Sequence, residues 1–163
     1  MISQSPMKVL FVCMGNICRS PAGEIIFQDL LEKHHQTGFI DCDSAGTIGY
    51  HQGKKPDSRM SETLKLRGYR VFGSARQISS QDLDRFDLIL TMDHENYKNV
   101  NKLCKTPAQR QKIRRFTDFC SQSQYHEVPD PYYGGHEGFE LVADLLEDGC
   151  QGLLTHLRQK GSL

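Results

Sequence analysis

Residues 7–27 read MKVLFVCMGNICRSPAGEIIF, and this stretch decides the fold. Met7 to Cys13 is an almost continuous apolar run, the pattern of a strand covered on both faces of a parallel sheet. Most strands end in a turn that only reverses the chain. This one ends in a cysteine, a loop of small residues, an arginine and then Ser20-Pro21. Serine is a favoured helix cap and proline a favoured first helical residue, so Ser20 is expected to cap a helix beginning at Pro21. Ala22, Ile25, Ile26 and Leu30 continue that helix at the right spacing, with Asp29 as a polar exception.

Outward from this unit, strand and helix signals keep alternating. Phe39 to Ala45 reads as a second strand, and Asp57 or Ser58 opens a helix through Met60, Leu64 and Leu66 that Gly68 can end. Asp87 to Met92 (DLILTM) is a buried strand, followed by a polar helix through Tyr97, Val100 and Leu103 up to Pro107. A short strand falls around Ile113 to Phe116. The last helix runs from about Gly138 to Lys160, with the stripe Phe139, Val142, Leu146, Cys150, Leu153 and Leu157. Gly149 and Gly152 should weaken its middle by about 1 kcal/mol each. Alternating strands and helices imply right-handed crossovers. The expected fold is α/β: a single three-layer domain over residues 1–163, with a doubly wound parallel four-stranded sheet, helices on both faces, and a phosphate loop after the first strand. Residues 1–6 or so are expected to be a flexible extension. Ligands bind such sheets at the carboxyl ends of the strands, where Cys13 stands.

Bulk properties exclude several function classes. With 163 residues, 20 Lys+Arg and 20 Asp+Glu, the chain has zero formal net charge and no global field to steer nucleic acid or an anionic membrane toward it. The basic run Gln109 to Arg115 is explained by a solvated helix or strand edge. There is no signal-peptide pattern and no apolar run of membrane-spanning length. The expectation is a cytoplasmic monomer whose six cysteines are thiols.

The loop from Cys13 to Arg19, with Met14, Gly15, Asn16, Ile17 and Cys18 between, has the parts of an anion cradle. Gly15 and Asn16 tolerate positive φ, so successive N–H groups can turn inward. The following helix adds free N–H groups and the positive end of its dipole, and Arg19 adds a planar fork for a phosphate-sized anion. Cys13 would sit on the cradle floor. The thiolate, not the thiol, is the nucleophile, and every one of these groups favours it. The Ser20 hydroxyl could donate to the sulfur. A thiolate beneath a bound phosphoryl group is placed for in-line attack, giving a phosphocysteine.

Blander readings compete. Cys42, Cys104, Cys120 and Cys150 read as packing. Cys13 and Cys18 have the spacing of a zinc pair, but no second pair completes it and Arg19 would repel the cation, so no metal is expected. The stretch Gly49 to Lys54 fails as a Walker loop, because it lacks a residue between its glycines and a Ser/Thr after its lysine.

The Cys13-to-Arg19 spacing, with Ser20-Pro21 entering a helix, resembles the signature loop of the low-molecular-weight protein tyrosine phosphatases. Val128-Pro129-Asp130-Pro131-Tyr132-Tyr133-Gly134 resembles that family's acid loop. Asp43-Ser44-Ala45-Gly46-Thr47, Ala75-Arg76-Gln77 and Met92-Asp93 are similar to further family segments, in the same order along the chain. The resemblance implies a cofactor-independent hydrolase acting on protein phosphotyrosine. Cys13 is then the nucleophile, Arg19 the transition-state clamp and Asp130 the general acid and base. It also implies that Asn16, Ser20 and Ser44 hold the loop by hydrogen bonds, that Asp93 supports it from behind, and that Tyr50 and Tyr132 wall an aryl slot. Cys18 is the expected redox partner that traps oxidised Cys13 as a disulfide.

One departure stands out. Where many family members have a histidine two residues before Ala75, this chain has Gly73. Related activities bring other expectations. Arsenate reductases of this fold use two further paired cysteines, whereas Cys104 and Cys120 are isolated. A branch that dephosphorylates arginine has threonine where this chain has Ile17, and an apolar side chain suits a phenyl ring better. A non-catalytic phosphate-binding module would lack the nucleophile or the acid, and both are present.

Overall fold

In the computed structural model, which describes residues 5–132 and 134–159, strand β1 (Met7–Cys13) lies at the centre of a four-stranded sheet. Its neighbours are β2 (Ile40–Gly46) and β3 (Leu88–Thr91), and β4 (Ile113–Arg115) closes the far edge beside β3. All three pairings are parallel, in the order β2-β1-β3-β4. Val9, Leu10, Phe11 and Val12 are fully buried. Their side chains alternate between faces: Val9, Phe11 and Cys13 join one apolar cluster, Leu10 and Val12 the other. A central strand must be apolar on both sides, which is why its sequence does not alternate with polar residues.

Helices α1 (Arg19–Lys33), α2 (Ser58–Leu66) and α6 (His136–Gln159) contribute to the first cluster through residues such as Ile25, Leu64 and Val142. Leu83 of α3 (Asp82–Arg85) and Val100 of α4 (His94–Leu103) belong to the second. A five-residue helix, α5 (Pro107–Gln111), leads into β4, and a 3-10 turn (Phe116–Phe119) follows it. No helix among the described residues is long and apolar enough to cross a membrane.

The helix after β3 stops at Leu103 rather than running on to Pro107. Thr106 accepts the Gln109 N–H and Pro107 opens the separate α5, as a proline at a first helical position does. α3 was not expected from the sequence, being a single turn without a usable period. The last helix begins at His136, slightly earlier than expected, and Lys160 lies outside the described residues, as do residues 1–4 of the expected extension. Gly149 and Gly152 act differently from a propensity argument. A Cβ at Gly149 would overlap the Phe116 ring and one at Gly152 the Phe119 carbonyl, so both glycines let α6 press onto the 3-10 turn.

Ser20 does not cap α1. The helix begins at Arg19, and the capping position is Cys18, which makes no side-chain capping bond. The Ser20 hydroxyl faces the loop interior instead.

Candidate active site

Beyond β1 the chain enters the loop at the point where the sheet switches direction, with β2 on one side and β3 on the other. Two contacts pull the following segment across it: Thr47 and Ile48 donate backbone N–H groups to the carbonyls of Cys13 and Met14 at 2.9 and 3.1 Å. Gly46 is required there, because a Cβ would stand 2.7 Å from the Met14 carbonyl oxygen and 3.0 Å from the Asn16 nitrogen. Asn16 takes a positive φ of 56°. Gly15 does not, contrary to expectation. Its small size is what the site uses, since a Cβ would meet the His51 ring at 2.8 Å.

Asn16 organises the loop from behind. Its Nδ2 donates to Ser20 Oγ at 2.8 Å and to Ser44 Oγ at 3.0 Å, and its Oδ1 accepts the Arg76 backbone N–H at 2.9 Å. Ser44 in turn donates to Glu24 Oε1 at 2.7 Å. Ser20 Oγ, already an acceptor from Asn16, lies 3.0 Å from Cys13 Sγ and 3.4 Å from the Ala45 carbonyl, so its one proton can go to either, and the sulfur is the nearer. A continuous chain therefore links Glu24, Ser44, Asn16, Ser20 and Cys13. Burial pushes the Glu24 carboxyl up to about 7; the Asp43 charge adds to this, while the Ser44 hydroxyl and Arg76 oppose it. Gly73 is exposed at a φ of 102° with open space around its Cα, and contributes no side chain to this network.

Arg19 is 3% exposed and held through one arm of its fork. Nη1 donates to Asp93 Oδ2 at 2.6 Å and to the Val128 carbonyl at 3.0 Å. Nη2 lies 3.7 Å from Asp130 Oδ2. Burial works against the charge, yet the interaction with Cys13 and the Asp93 bond raise the Arg19 pKa above its ordinary value. Asp93 is itself fixed, because it caps α4 and its Oδ1 accepts the Asn96 N–H while Asn96 bonds back to its backbone. Cys18 is buried, and desolvation first, then Cys13 and Asp57, pushes its thiol well above the usual range.

The segment 128–132 approaches from the opposite side. Val128 N–H donates to the Met92 carbonyl at 2.8 Å, and Asp130 follows with its side chain 43% exposed. Asp130 Oδ1 accepts the Tyr132 N–H at 3.0 Å, leaving Oδ2 toward the cavity and Arg19. Cys13, Met14, Gly15, Ile17, Cys18, Arg19, Tyr50, His51, Asp130 and Tyr132 together line a cavity of about 230 Å³. Tyr50, 79% exposed, stands at its rim with its ring against His51, centroids 4.9 Å apart. A larger cavity of about 670 Å³ lies between residues 122–126 and α6, but no cysteine, arginine or lysine is among its walls. Chemistry, not size, singles out the smaller one.

The residues proposed from sequence thus fall into one place. Asn16, Ser20 and Ser44 stand behind the loop, Asp93 supports Arg19, and the rest face the cavity; Tyr133 lies outside the described residues. Sequence reasoning gave no role to Glu24 or His51, and it met Arg76 only inside a segment similar to the family's. Glu24 carried a signal of its own, being one helical turn from Ser20. Among the described residues, no group of three or more His, Cys, Asp or Glu side chains is placed to hold a metal ion.

Residues 8–163 match the family model described as low molecular weight phosphotyrosine protein phosphatase. A Synechocystis sequence is 53% identical over 153 residues, covering 93% of this chain and 96% of the relative. YfkJ of Bacillus subtilis, which carries the name low molecular weight protein-tyrosine-phosphatase, is 42% identical over 158 residues, covering 96% and 99%. The crystal structure of the Entamoeba histolytica protein tyrosine phosphatase with Hepes in its active site superposes with a TM-score of 0.91 at 46% identity, covering 96% of this chain and 99% of that one.

Proposed function

Because the chain belongs to the low molecular weight phosphotyrosine protein phosphatase family, we propose that it hydrolyses protein phosphotyrosine through a covalent phosphocysteine on Cys13, with Asp130 as general acid and then general base. One observation carries the reading. Cys13 Sγ, backed by a hydroxyl at 3.0 Å, meets a buried arginine and a half-exposed carboxyl from a separate segment at one small cavity.

In the first step the Cys13 thiolate attacks phosphorus and the phosphorus–oxygen bond to tyrosine breaks. Asp130 gives its proton to the departing phenolic oxygen. Arg19 and the loop N–H groups receive the charge on the three equatorial oxygens. In the second step Asp130, now a carboxylate, takes a proton from water, whose oxygen displaces the sulfur. Phosphate leaves and the thiolate is regenerated. The aryl ring lies between Tyr50 and Tyr132, and the apolar Ile17 at the cavity wall favours a phenyl ring over a phosphoguanidinium. The reaction so written needs no metal or cofactor and no second subunit.

The test is phosphate release from a phosphotyrosine peptide against phosphoserine and phosphoarginine, in EDTA with reductant. Wild type should prefer phosphotyrosine. Cys13→Ser should be inactive, and Asp130→Ala should fall by about 10²-fold or more. Turnover that persists in Cys13→Ser would mean another nucleophile.

Cys18 is proposed as the redox partner of Cys13. Peroxide would convert the Cys13 thiolate to a sulfenic acid, and the Cys18 thiol would condense with it, releasing water and forming a disulfide. Peroxide-inactivated wild type should then recover with dithiothreitol, while Cys18→Ser should not. Equal recovery of the two would end this reading.

A further inference from the structure

Arg59 makes more directed contacts than a half-exposed helix residue needs. It stands at the second position of α2, after the capping Asp57. Its Nε and Nη2 donate to the two Asp57 carboxylate oxygens at 3.3 and 3.1 Å. Nη1 donates to the Tyr132 carbonyl at 3.0 Å. The guanidinium also lies over the Tyr132 ring at 5.2 Å and the Phe139 ring at 4.8 Å. One planar cation therefore joins the start of α2, the segment carrying Asp130, and the first turns of α6.

Both hydrogen-bonded partners lead to the reacting groups. The Tyr132 N–H donates to Asp130 Oδ1 at 3.0 Å, so fixing the Tyr132 backbone fixes the side chain two residues earlier. The Asp57 N–H donates to the Ile17 carbonyl of the phosphate loop at 2.6 Å. Val128 anchors the same segment at its other end, through Met92 and Arg19. Between these anchors the chain contains Pro129 and Pro131, which cannot donate backbone hydrogen bonds.

We propose that Arg59 is a positioning residue for the general acid: through the Tyr132 backbone it holds the Asp130 carboxyl where the leaving oxygen needs its proton. This rests on the role given to Asp130 above. Arg59 touches no reacting atom. The position calls for arginine rather than lysine, because a planar fork can serve Asp57 and the Tyr132 carbonyl while stacking on two rings, and an ammonium cannot.

The readout is dependence on the leaving group. An acidic nitrophenol departs as its anion without help, whereas a weakly acidic phenol needs a proton in the transition state. We would measure kcat/KM over a series of aryl phosphates for wild type, Arg59→Ala, Arg59→Lys, Asp130→Ala and the Arg59→Ala/Asp130→Ala double variant, with thermal melting as the check on folding. Arg59→Ala should lose about tenfold or more on phenyl phosphate but no more than about threefold on the most acidic leaving group. Arg59→Lys should follow the same slope. In the Asp130→Ala background, removing Arg59 should cost no more than about a further twofold.

A uniform loss across the series, losses that multiply in the double variant, or no loss in the folded single variants would overturn the proposal. Should Arg59→Ala fail to fold, Arg59→Lys and Arg59→Gln carry the same comparison. An Asp130→Ala variant with the wild-type slope is a separate result: it removes the acid role of Asp130, and the role of Arg59 with it.

Discussion

Arg19 Nη1 meets Asp93 Oδ2 at 2.6 Å, joining the first residue of α1 to the residue that caps the helix after β3. The pair spans the two sides of the sheet's switch point. It leaves the other arm of the guanidinium for the cavity, where Asp130 stands. Without the carboxylate, Arg19 would keep only the Val128 carbonyl as a neutral partner.

Asp93→Asn should therefore separate two roles. The amide oxygen can still cap α4, but it cannot pair with a buried guanidinium. The melting temperature should fall by only a few degrees, while kcat/KM for a phosphotyrosine peptide drops by about 10- to 100-fold. Asp93→Ala should lose the cap as well, costing roughly a further 1 kcal/mol in denaturant unfolding. Full activity in a folded Asp93→Ala would show that Arg19 holds its position unaided.

Glu24 should give the fold a measurable pH dependence. Its folded-state pKa is raised from 4.5 to about 7, chiefly by burial. The preference of the folded state for the proton thus contributes stability that is full below pH 4.5 and is lost as pH rises through about 7. Over that window wild type should lose about 3 kcal/mol relative to Glu24→Gln, which keeps an acceptor for Ser44 but cannot ionise. Urea titrations of both proteins at several pH values would show it. A constant difference between them would mean that Glu24 does not titrate there.

Gly152→Ala should be costly although alanine is the better helix former. The added methyl would overlap the Phe119 carbonyl, a backbone atom that cannot rotate away. The expected loss is about 2 kcal/mol or more in denaturant unfolding, against the roughly 1 kcal/mol gain that propensity alone would give. A stabilised Gly152→Ala would show that α6 can shift off the 3-10 turn.

Arg67 makes a mainly structural case. It pairs with Glu140 at 2.6 Å, Asp144 at 2.9 Å and Glu147 at 2.8 Å, binding α2's end to one face of α6. These carboxylates are partly exposed, so Arg67→Met should cost only about 1–2 kcal/mol, with the loss shrinking in high salt. Catalytic constants measured on the folded variant should stay within about twofold of wild type. A salt-independent loss would point to packing of the aliphatic stem instead.

Much of the molecule was legible because local chemistry decided it. The apolar run of β1 needed no context to be read as a doubly covered strand. Gly15, Asn16 and Arg19 pointed to an anion site by residue type, although only Asn16 of the first two takes the positive φ expected there, and the family pattern supplied Asp130 as a candidate. Misreadings arose where tertiary contact overruled a local preference. Ser20 looked like a cap, yet its hydroxyl is turned inward by Asn16 and faces Cys13. Gly149 and Gly152 looked like weak points of α6 and are instead where Phe116 and Phe119 fit.

By itself the sequence determined the order of the strands and the longer helices, the parallel sheet that follows from it, and the chemistry available at the carboxyl end of β1. These depend on periodicity and residue type, which act over a few positions. Only the tertiary structure decided which distant groups meet around the site: Glu24 with Ser44, Arg59 with the Tyr132 carbonyl, and the pairing by which Asp93, a candidate from family resemblance alone, holds Arg19. Each joins residues 20 or more apart in sequence, and nothing in a residue's type or its neighbours says which distant group will be carried to within 3.0 Å of it. That depends on how the elements pack, and packing is a property of the whole chain.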